Sequence, residues 1–186
     1  MAGGRLADAA DLLPWPNVRG KRCLDVAAPG YSLARVLEDR GAVAVREVDP
    51  DPGALGAMDG PYDVVTAGGV LSGAHDPTAL ARALHQVTRG VLLSCEPIEL
   101  WTSVLARGKP LFSLDGAAGL HFNGAGHRQL FELAGFATER VSKPFTLAGD
   151  ATATPGAARF AIRLLTGSRE AGVLHRALLV RPLPLT

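Results

Sequence analysis

The sequence contains only two cysteines, Cys23 and Cys95, which is too few for a disulfide framework. Each lies in a short apolar run typical of a central strand, where cysteine usually serves as a small buried hydrophobic residue. The first residues lack a charged segment followed by a long apolar one, and no apolar run reaches membrane-spanning length. These absences predict a cytoplasmic protein without a signal peptide or a membrane anchor.

Neither sign of charge is in excess. Lysine and arginine total 19, against 18 for aspartate and glutamate, so no global field favours nucleic acid or an anionic membrane as a partner. The five histidines and two cysteines never occur in a metal-ligand spacing such as HExxH or paired CxxC. A GxSxG motif, which would indicate a hydrolase, is also missing. The sequence therefore predicts no metal and no polyanionic partner.

The chain does contain enough hydrophobic residues to form the core of one domain. With 186 residues, of which 47% are hydrophobic, we expect a single domain over residues 1–186. Residues 1–20 are expected to form an N-terminal helical lid or brace. Its short amphipathic helix runs from Leu6 to Leu13, and Pro14-Trp15-Pro16 ends it.

The stretch from Lys21 to Pro52 has the pattern of a strand, a tight turn, a helix and a second strand. An apolar run after Lys21 is typical of a strand buried on both faces. Helical periodicity begins at Ser32 and ends at Gly41. The second strand, Ala42 to Val48, leads into acidic residues, so the Asp49 carboxylate stands where a βαβ unit usually holds a ribose hydroxyl. This is the outline of a nucleotide site.

The rest of the chain continues to alternate strands with helices, which favours a three-layer α/β sandwich. Residues 51–61 are rich in Asp, Gly and Pro and predict a loop with room for one turn of helix. The loop 108–122 is long enough to suggest a function, and residues 143–173 are expected to be an insertion between the last two strands. The predicted strands are 62–66, 90–95, 136–142 and 174–180, and the predicted helices are 76–90, 98–107, 123–135 and 155–166.

Ligands of open α/β sheets bind beyond the carboxyl ends of the strands, so polar residues there are candidates. The Tyr31 phenol can donate to a substrate carbonyl, or its ring can simply fill pocket volume. Glu96 ends a buried strand, where burial can raise its pKa into the range of a general acid or base; alternatively it caps the following helix. His75 and His121 can move protons near neutral pH. The remaining candidates, for a substrate pocket, are Ser72, Trp101, Leu105, Phe112, Phe122, Asn123 and His127, whereas His85 and His175 are interpreted as structural.

Four segments of the chain, in family order, resemble class I S-adenosylmethionine-dependent methyltransferases, especially small natural-product and tRNA-wobble-uridine methyltransferases. They are WPNVRGKRCLDV, YDVVTAGGVLSGAHDPTALARAL, VLLSCEPIEL and FNGAGHRQLFELAGF. The resemblance implies a Rossmann-like methyltransferase fold with a shortened, mostly parallel sheet and a C-terminal antiparallel strand pair. It also implies that Ala27, Pro29, Gly30 and Asp49 contact S-adenosylmethionine, if that cofactor is retained.

The chain departs from the pattern of this family in three places. Ala27 and Tyr31 occupy the two glycine positions of the cofactor turn, and Pro29 fixes φ and removes an amide donor there. Residues 51–61 are too few for a strand and a crossover helix, so the third strand, which closes the adenine site in the family, is expected to be deleted. Finally, Gly73 stands where this group often has a histidine.

The departures favour a methyltransferase-fold enzyme of secondary-metabolite biosynthesis that works without the cofactor. It would cyclise or rearrange a hydrophobic small molecule held by the pocket residues. One alternative is an active S-adenosylmethionine-dependent O- or N-methyltransferase acting on a small molecule. Another is a non-catalytic accessory subunit, or a homodimer, because a deleted third strand leaves the second strand exposed as an edge.

Overall fold

The structure is a computed structural model that describes residues 6–98, 109–110, 112–115, 119–147 and 174–184. A 3-10 helix, Leu6–Leu12, precedes alternating strands and helices. The first half contains β1 (Arg22–Ala27), α1 (Ala34–Asp39), β2 (Ala44–Val48), α2 (Pro52–Gly56), β3 (Tyr62–Gly68), α3 (Pro77–Val87) and β4 (Thr88–Pro97). The second half contains β5 (Phe112–Asp115), β6 (Gly119–Phe122), α4 (Gly124–Leu133), β7 (Phe136–Val141), β8 (Phe145–Thr146) and β9 (Leu174–Pro182).

The main sheet has the strand order β2-β1-β3-β4-β9-β7, with the short β8 also paired to β9. Strands β1 to β4 are parallel to one another, whereas β9 is antiparallel to both β4 and β7. This confirms the mostly parallel sheet with a C-terminal antiparallel pair. Residues 49–61 provide only the short helix α2 and no strand, so among the described strands β2 is the terminal one at its end of the sheet.

Two apolar cores, one on each face of the sheet, make the three predicted layers. On one face α3 and α4 bury Leu84 and Phe131 against the strands. On the other face the 3-10 helix and α1 bury Leu6 and Leu37. Both cysteines are free and buried in strands of this sheet, as their apolar surroundings predicted. No helix in the described part of the chain is long and apolar enough to cross a membrane.

Local sequence signals located α3 but not the hairpin that precedes α4. Asp76 caps α3 by accepting a 2.8 Å hydrogen bond from the Ala79 amide, and Pro77 is its first residue, as predicted. The predicted loop over residues 108–122 is wrong in part, because β5 and β6 pair there, with Phe112 opposite Phe122. Strands of four residues are too short to show a clear alternation. The predicted helix 155–166 and all but the first residue of the predicted helix 98–107 lie outside the described residues, and of the insertion 143–173 only residues 143–147, which include β8, are described.

Candidate active site

A cleft of about 520 Å³ opens at the carboxyl ends of β1 and β2. It contains all four residues predicted to bind a cofactor, namely Ala27, Pro29, Gly30 and Asp49. The turn after β1 is made possible by Gly30, whose φ of 87° lies in the left-handed region. The backbone N–H of Leu6 donates to the Gly30 carbonyl at 2.9 Å, so the N-terminal 3-10 helix is tied to this turn. The structure therefore assembles the predicted nucleotide-binding residues around one opening.

Asp25, on β1, forms the buried base of this cleft and was missed by sequence reasoning. Its Oδ2 accepts hydrogen bonds from Ser32 Oγ at 2.8 Å and from the amides of Leu33 and Ala34 at 2.9 and 3.1 Å. Burial raises the pKa of Asp25, while hydrogen bonds from Thr66 and Ser32 act in the opposite direction. The signal available in the sequence was a carboxylate inside an otherwise apolar strand, which requires partners when buried.

The outer wall of the cleft is acidic. Glu47 and Asp49 lie at and just beyond the end of β2 and line the opening, together with Val48. Ser32 Oγ donates to Glu47 at 3.2 Å as well as to Asp25, so the start of α1 is linked to both strands. Asp49 is exposed. Two carboxylates that face a cleft in this way can accept hydrogen bonds from the hydroxyl groups of a bound ligand.

The Tyr31 side chain, which follows the turn after β1, lies towards the end of β3 and makes a contact that the sequence did not predict. Its hydroxyl lies 2.8 Å from Nε2 of His175, which is buried in β9 and stacks on Phe145 with ring centroids 5.9 Å apart. The Tyr31 ring also covers Gly69, where an added Cβ would lie 2.8–2.9 Å from ring carbons. The interpretation of His175 as a structural residue overlooked this partner, because 144 positions separate the two residues.

Glu96 is fully buried at the end of β4 and holds the turn that follows β3. Its Oε1 accepts from the amides of Val70 and Leu71 at 2.8 and 3.0 Å, and its Oε2 accepts from the Ser72 amide at 3.3 Å. Burial raises the pKa of Glu96 to about 7, although these hydrogen bonds lower it. Of the two interpretations of this residue, the structure favours the buried carboxylate with a raised pKa. Its part in any reaction stays a prediction.

His127 was predicted to line the substrate pocket, but the structure places it in the core, and the same holds for Phe122. The His127 imidazole has no exposed surface, and its Nε2 lies 2.9 Å from Ser94 Oγ. Burial lowers the pKa of His127 to about 3, and the charge of Arg176 adds to the effect. Asn123 is also buried, and it caps α4 through a 2.8 Å hydrogen bond from the Gly126 amide. These residues support the helix rather than line an open crevice.

The other predicted site residues are dispersed. Ser72 is half-buried, and its carbonyl accepts from the Leu120 amide, while His75 is exposed in the loop before α3. Phe112, on β5, is 42% exposed. Trp101, Leu105 and the side chain of His121 lie outside the described residues. Within the described ranges, no three His, Cys, Asp or Glu side chains are grouped as a metal site would require. The structure thus brings together the four predicted cofactor-binding residues, whereas the predicted catalytic set stays a prediction because the side chain of His121 lies outside the described residues.

No protein-family model matches the sequence, and neither does any curated protein. Solved structures do match it. An S-adenosylmethionine-dependent methyltransferase from Mesorhizobium loti has a TM-score of 0.54 and 15% identity, over 90% of this chain and 93% of its own. The 1,6-didemethyltoxoflavin N1-methyltransferase of Burkholderia thailandensis, solved with S-adenosylhomocysteine, has a TM-score of 0.58 and 14% identity, over 89% of this chain and 72% of its own.

A third match is the magnesium protoporphyrin IX methyltransferase of Synechocystis, also solved with bound S-adenosylhomocysteine. Its TM-score is 0.55 and its identity 16%, over 96% of this chain and 79% of its own. At such low identity the likeness concerns the fold, and the fold agrees with the one that the sequence motifs predicted.

Proposed function

We propose that this chain, which has the fold of class I S-adenosylmethionine-dependent methyltransferases, binds S-adenosylmethionine at the ends of β1 and β2 and methylates a small molecule. One observation carries the proposal. The 520 Å³ cleft brings together the turn after β1 and the carboxylates after β2, at the edge of the sheet where α/β folds bind nucleotides.

The residues present fit the nucleoside part of the cofactor. Asp49 and Glu47 can accept hydrogen bonds from the ribose hydroxyls, since both face the cleft. Gly30 lets the backbone turn beneath the ligand without a Cβ. When bound, the cofactor supplies a methyl group on a positively charged sulfur. The chain's task is then to align an acceptor atom with that group and to keep water away from it.

The sheet limits how tightly the adenine can be held. Because β2 is the terminal strand within the described part of the sheet, no further strand there covers the adenine side of the cleft. We therefore expect a lower affinity for S-adenosylmethionine than a site closed by another strand would give. The acceptor is proposed to be a small molecule, in line with the toxoflavin precursor and the porphyrin that name two of the structurally similar enzymes.

Calorimetry with S-adenosylmethionine and S-adenosylhomocysteine tests this function. We expect both to bind the wild-type protein and Asp49→Asn to weaken the binding about tenfold or more, because hydrogen bonds to a charged group are lost. Asp39→Asn is the matched control, since Asp39 is an exposed carboxylate at the end of α1, outside the cleft. Absence of binding to the wild-type protein, or equal affinities for wild type and Asp49→Asn, would contradict the proposal.

A second candidate function is cofactor-independent cyclisation or rearrangement of a hydrophobic secondary metabolite. The observation in its favour is Tyr31, which stands at a glycine position of the resembled turn and fills the space over Gly69 with its ring. Native mass spectrometry of protein purified without added cofactor separates the two functions. Retained S-adenosylmethionine or S-adenosylhomocysteine supports methyl transfer. Ligand-free protein that also fails to bind either compound in calorimetry supports the second candidate.

A further inference from the structure

A second cavity, of about 190 Å³, lies between α4, β7 and β9. Its lining residues are Gly124, Ala125, Arg128, Val141, Arg176 and Leu178. Arg176 is opposite Glu96, which ends β4, so the cavity is at the same edge of the sheet as the nucleotide cleft. The two openings are at opposite ends of the strand order, with β3 and β4 between them. A ligand in this cavity would therefore lie on the β9 side of the sheet, whereas the proposed cofactor cleft lies on the β2 side.

The Arg176 side chain is incompletely partnered within the part of the chain that the structure describes. Its Nε is buried without a hydrogen-bond acceptor among the described residues. The guanidinium lies against the first residue of α4, since a Cβ on Gly124 would overlap Nη1 of Arg176. Glu96 lies opposite Arg176 in the β4–β9 ladder but forms no ion pair with it in the described structure; its carboxylate accepts from the amides of residues 70–72 instead. A partly buried cation without an acceptor is costly, so a ligand that supplies one gains free energy.

The other charged groups around the cavity leave it positive. Arg128 forms an ion pair with Glu132 at 3.4 Å, but both side chains are about half exposed, so the pair is weak. Burial lowers the pKa of Arg176, and the charge of Arg128 adds to the effect. His127, one turn into α4, is neutral near pH 7 because its pKa is about 3. Two guanidinium groups therefore line the cavity, at the positive end of a ten-residue helix, and the half-exposed Glu132 pairs with only one of them.

We propose that this cavity binds an acidic group, a carboxylate or a phosphate, carried by the acceptor molecule. Guanidinium groups bind both anions through paired, charge-assisted hydrogen bonds. Val141 and Leu178 supply apolar surface beside the two arginines, so the acceptor combines an acidic group with a hydrophobic body. That the anion belongs to an acceptor rests on the proposed methyl-transfer function, whereas the anion site itself does not.

The test is a titration of the protein with inorganic phosphate and, separately, with acetate, followed by ¹H–¹⁵N NMR without S-adenosylmethionine. Sodium chloride keeps the ionic strength constant, because screening alone changes exposed charges. We expect saturable shifts of the Gly124 and Ala125 amides and of the Arg176 Nε–H signal. Shifts that do not saturate, or that arise only elsewhere on the protein, would overturn the proposal.

Three variants sharpen this result. Arg176→Gln removes the charge, and Gly124→Ala keeps both charges but displaces the Arg176 guanidinium; we expect each to weaken phosphate binding at least tenfold. Arg82→Gln is the matched control, because Arg82 is an exposed arginine on α3, and it should bind as the wild type does. Equal affinities in all variants would refute the site. If phosphate fails to bind while calorimetry still detects binding of S-adenosylmethionine, only the proposed anion site is contradicted. If phosphate binds but S-adenosylmethionine does not, only the proposed methyltransferase function is contradicted.

Discussion

Glu96 shows how a single buried carboxylate can be both structural and titratable. Three backbone amides of the turn after β3 donate to it, and it has no exposed surface. Ionised Glu96 satisfies those amides, but burial penalises the charge, and the penalty is the larger effect because the pKa rises to about 7. Burial therefore moves the ionisation of Glu96 towards neutral pH.

This raised pKa predicts how stability depends on pH. The pKa of Glu96 is near 4.5 in the unfolded chain and about 7 in the folded one, so the folded state holds the proton more tightly. Its contribution to the free energy of unfolding is present below pH 4.5 and is lost as pH rises through 7, by about 3 kcal/mol. Urea unfolding from pH 4.5 to 8 should show that Glu96→Gln removes this loss.

Other groups must be separated from this effect. His127 has a folded pKa lowered from 6.5 to about 3, so its contribution is present above pH 6.5 and is lost as pH falls through 3. It thus opposes Glu96 between pH 4.5 and 6.5, and only the difference between wild type and variant isolates Glu96. Glu38→Gln, on the exposed face of α1, should leave the wild-type profile unchanged. An identical pH profile for wild type and Glu96→Gln would contradict the assignment.

At the scale of the elements, the turn after β1 and the end of β3 are fitted to each other through Tyr31 and Gly69. Gly69 has a φ of 63°, and the Tyr31 ring occupies the place of its absent Cβ. We predict that Gly69→Ala lowers the free energy of unfolding by the left-handed backbone cost of about 1–2 kcal/mol and by the overlap with the ring as well. In a Tyr31→Ala background only the backbone cost should remain.

A double-mutant cycle in urea measures this coupling. Tyr31→Phe serves as the control background, because it keeps the ring and removes only the hydroxyl that contacts His175. In that background Gly69→Ala should cost as much as in the wild type. If the cost is equal in the Tyr31→Ala and wild-type backgrounds, the ring does not determine the need for glycine at this position.

The same elements show what sequence could predict. Asp76-Pro77 marks the start of α3 through local chemistry, and the apolar runs of β1, β3 and β4 predict a parallel sheet. The hydrogen bond between Tyr31 and His175 has no local signal, since it depends on how β9 enters the sheet beside β4. No local sequence pattern marks Arg176 as a binding residue, for the same reason. That its buried Nε finds no acceptor among the described residues depends on how the neighbours of β9 fold around it.

For the whole molecule, the position of β2 determines which part of the sheet is least protected. The strand β3 is buried over almost its full length, whereas no residue of β2 is buried, and among the described strands β2 pairs only with β1. Edge strands with unpaired backbone groups open more readily than central ones. This arrangement is the consequence of the short connection over residues 49–61, which the sequence did reveal.

We therefore predict a gradient of amide hydrogen exchange across the sheet, fastest in β2 and slowest in β3 and β4, measurable by exchange with mass spectrometry. S-adenosylmethionine should slow amide exchange at residues 27–30 and 47–49, because these residues line the cleft in which we propose it binds. It should leave amide exchange at Gly124, in the second cavity, unchanged. Exchange in β2 as slow as in β3 at low protein concentration would contradict the edge position. Protection of β2 that grows with protein concentration would instead indicate the predicted pairing with a second copy, since only association depends on concentration.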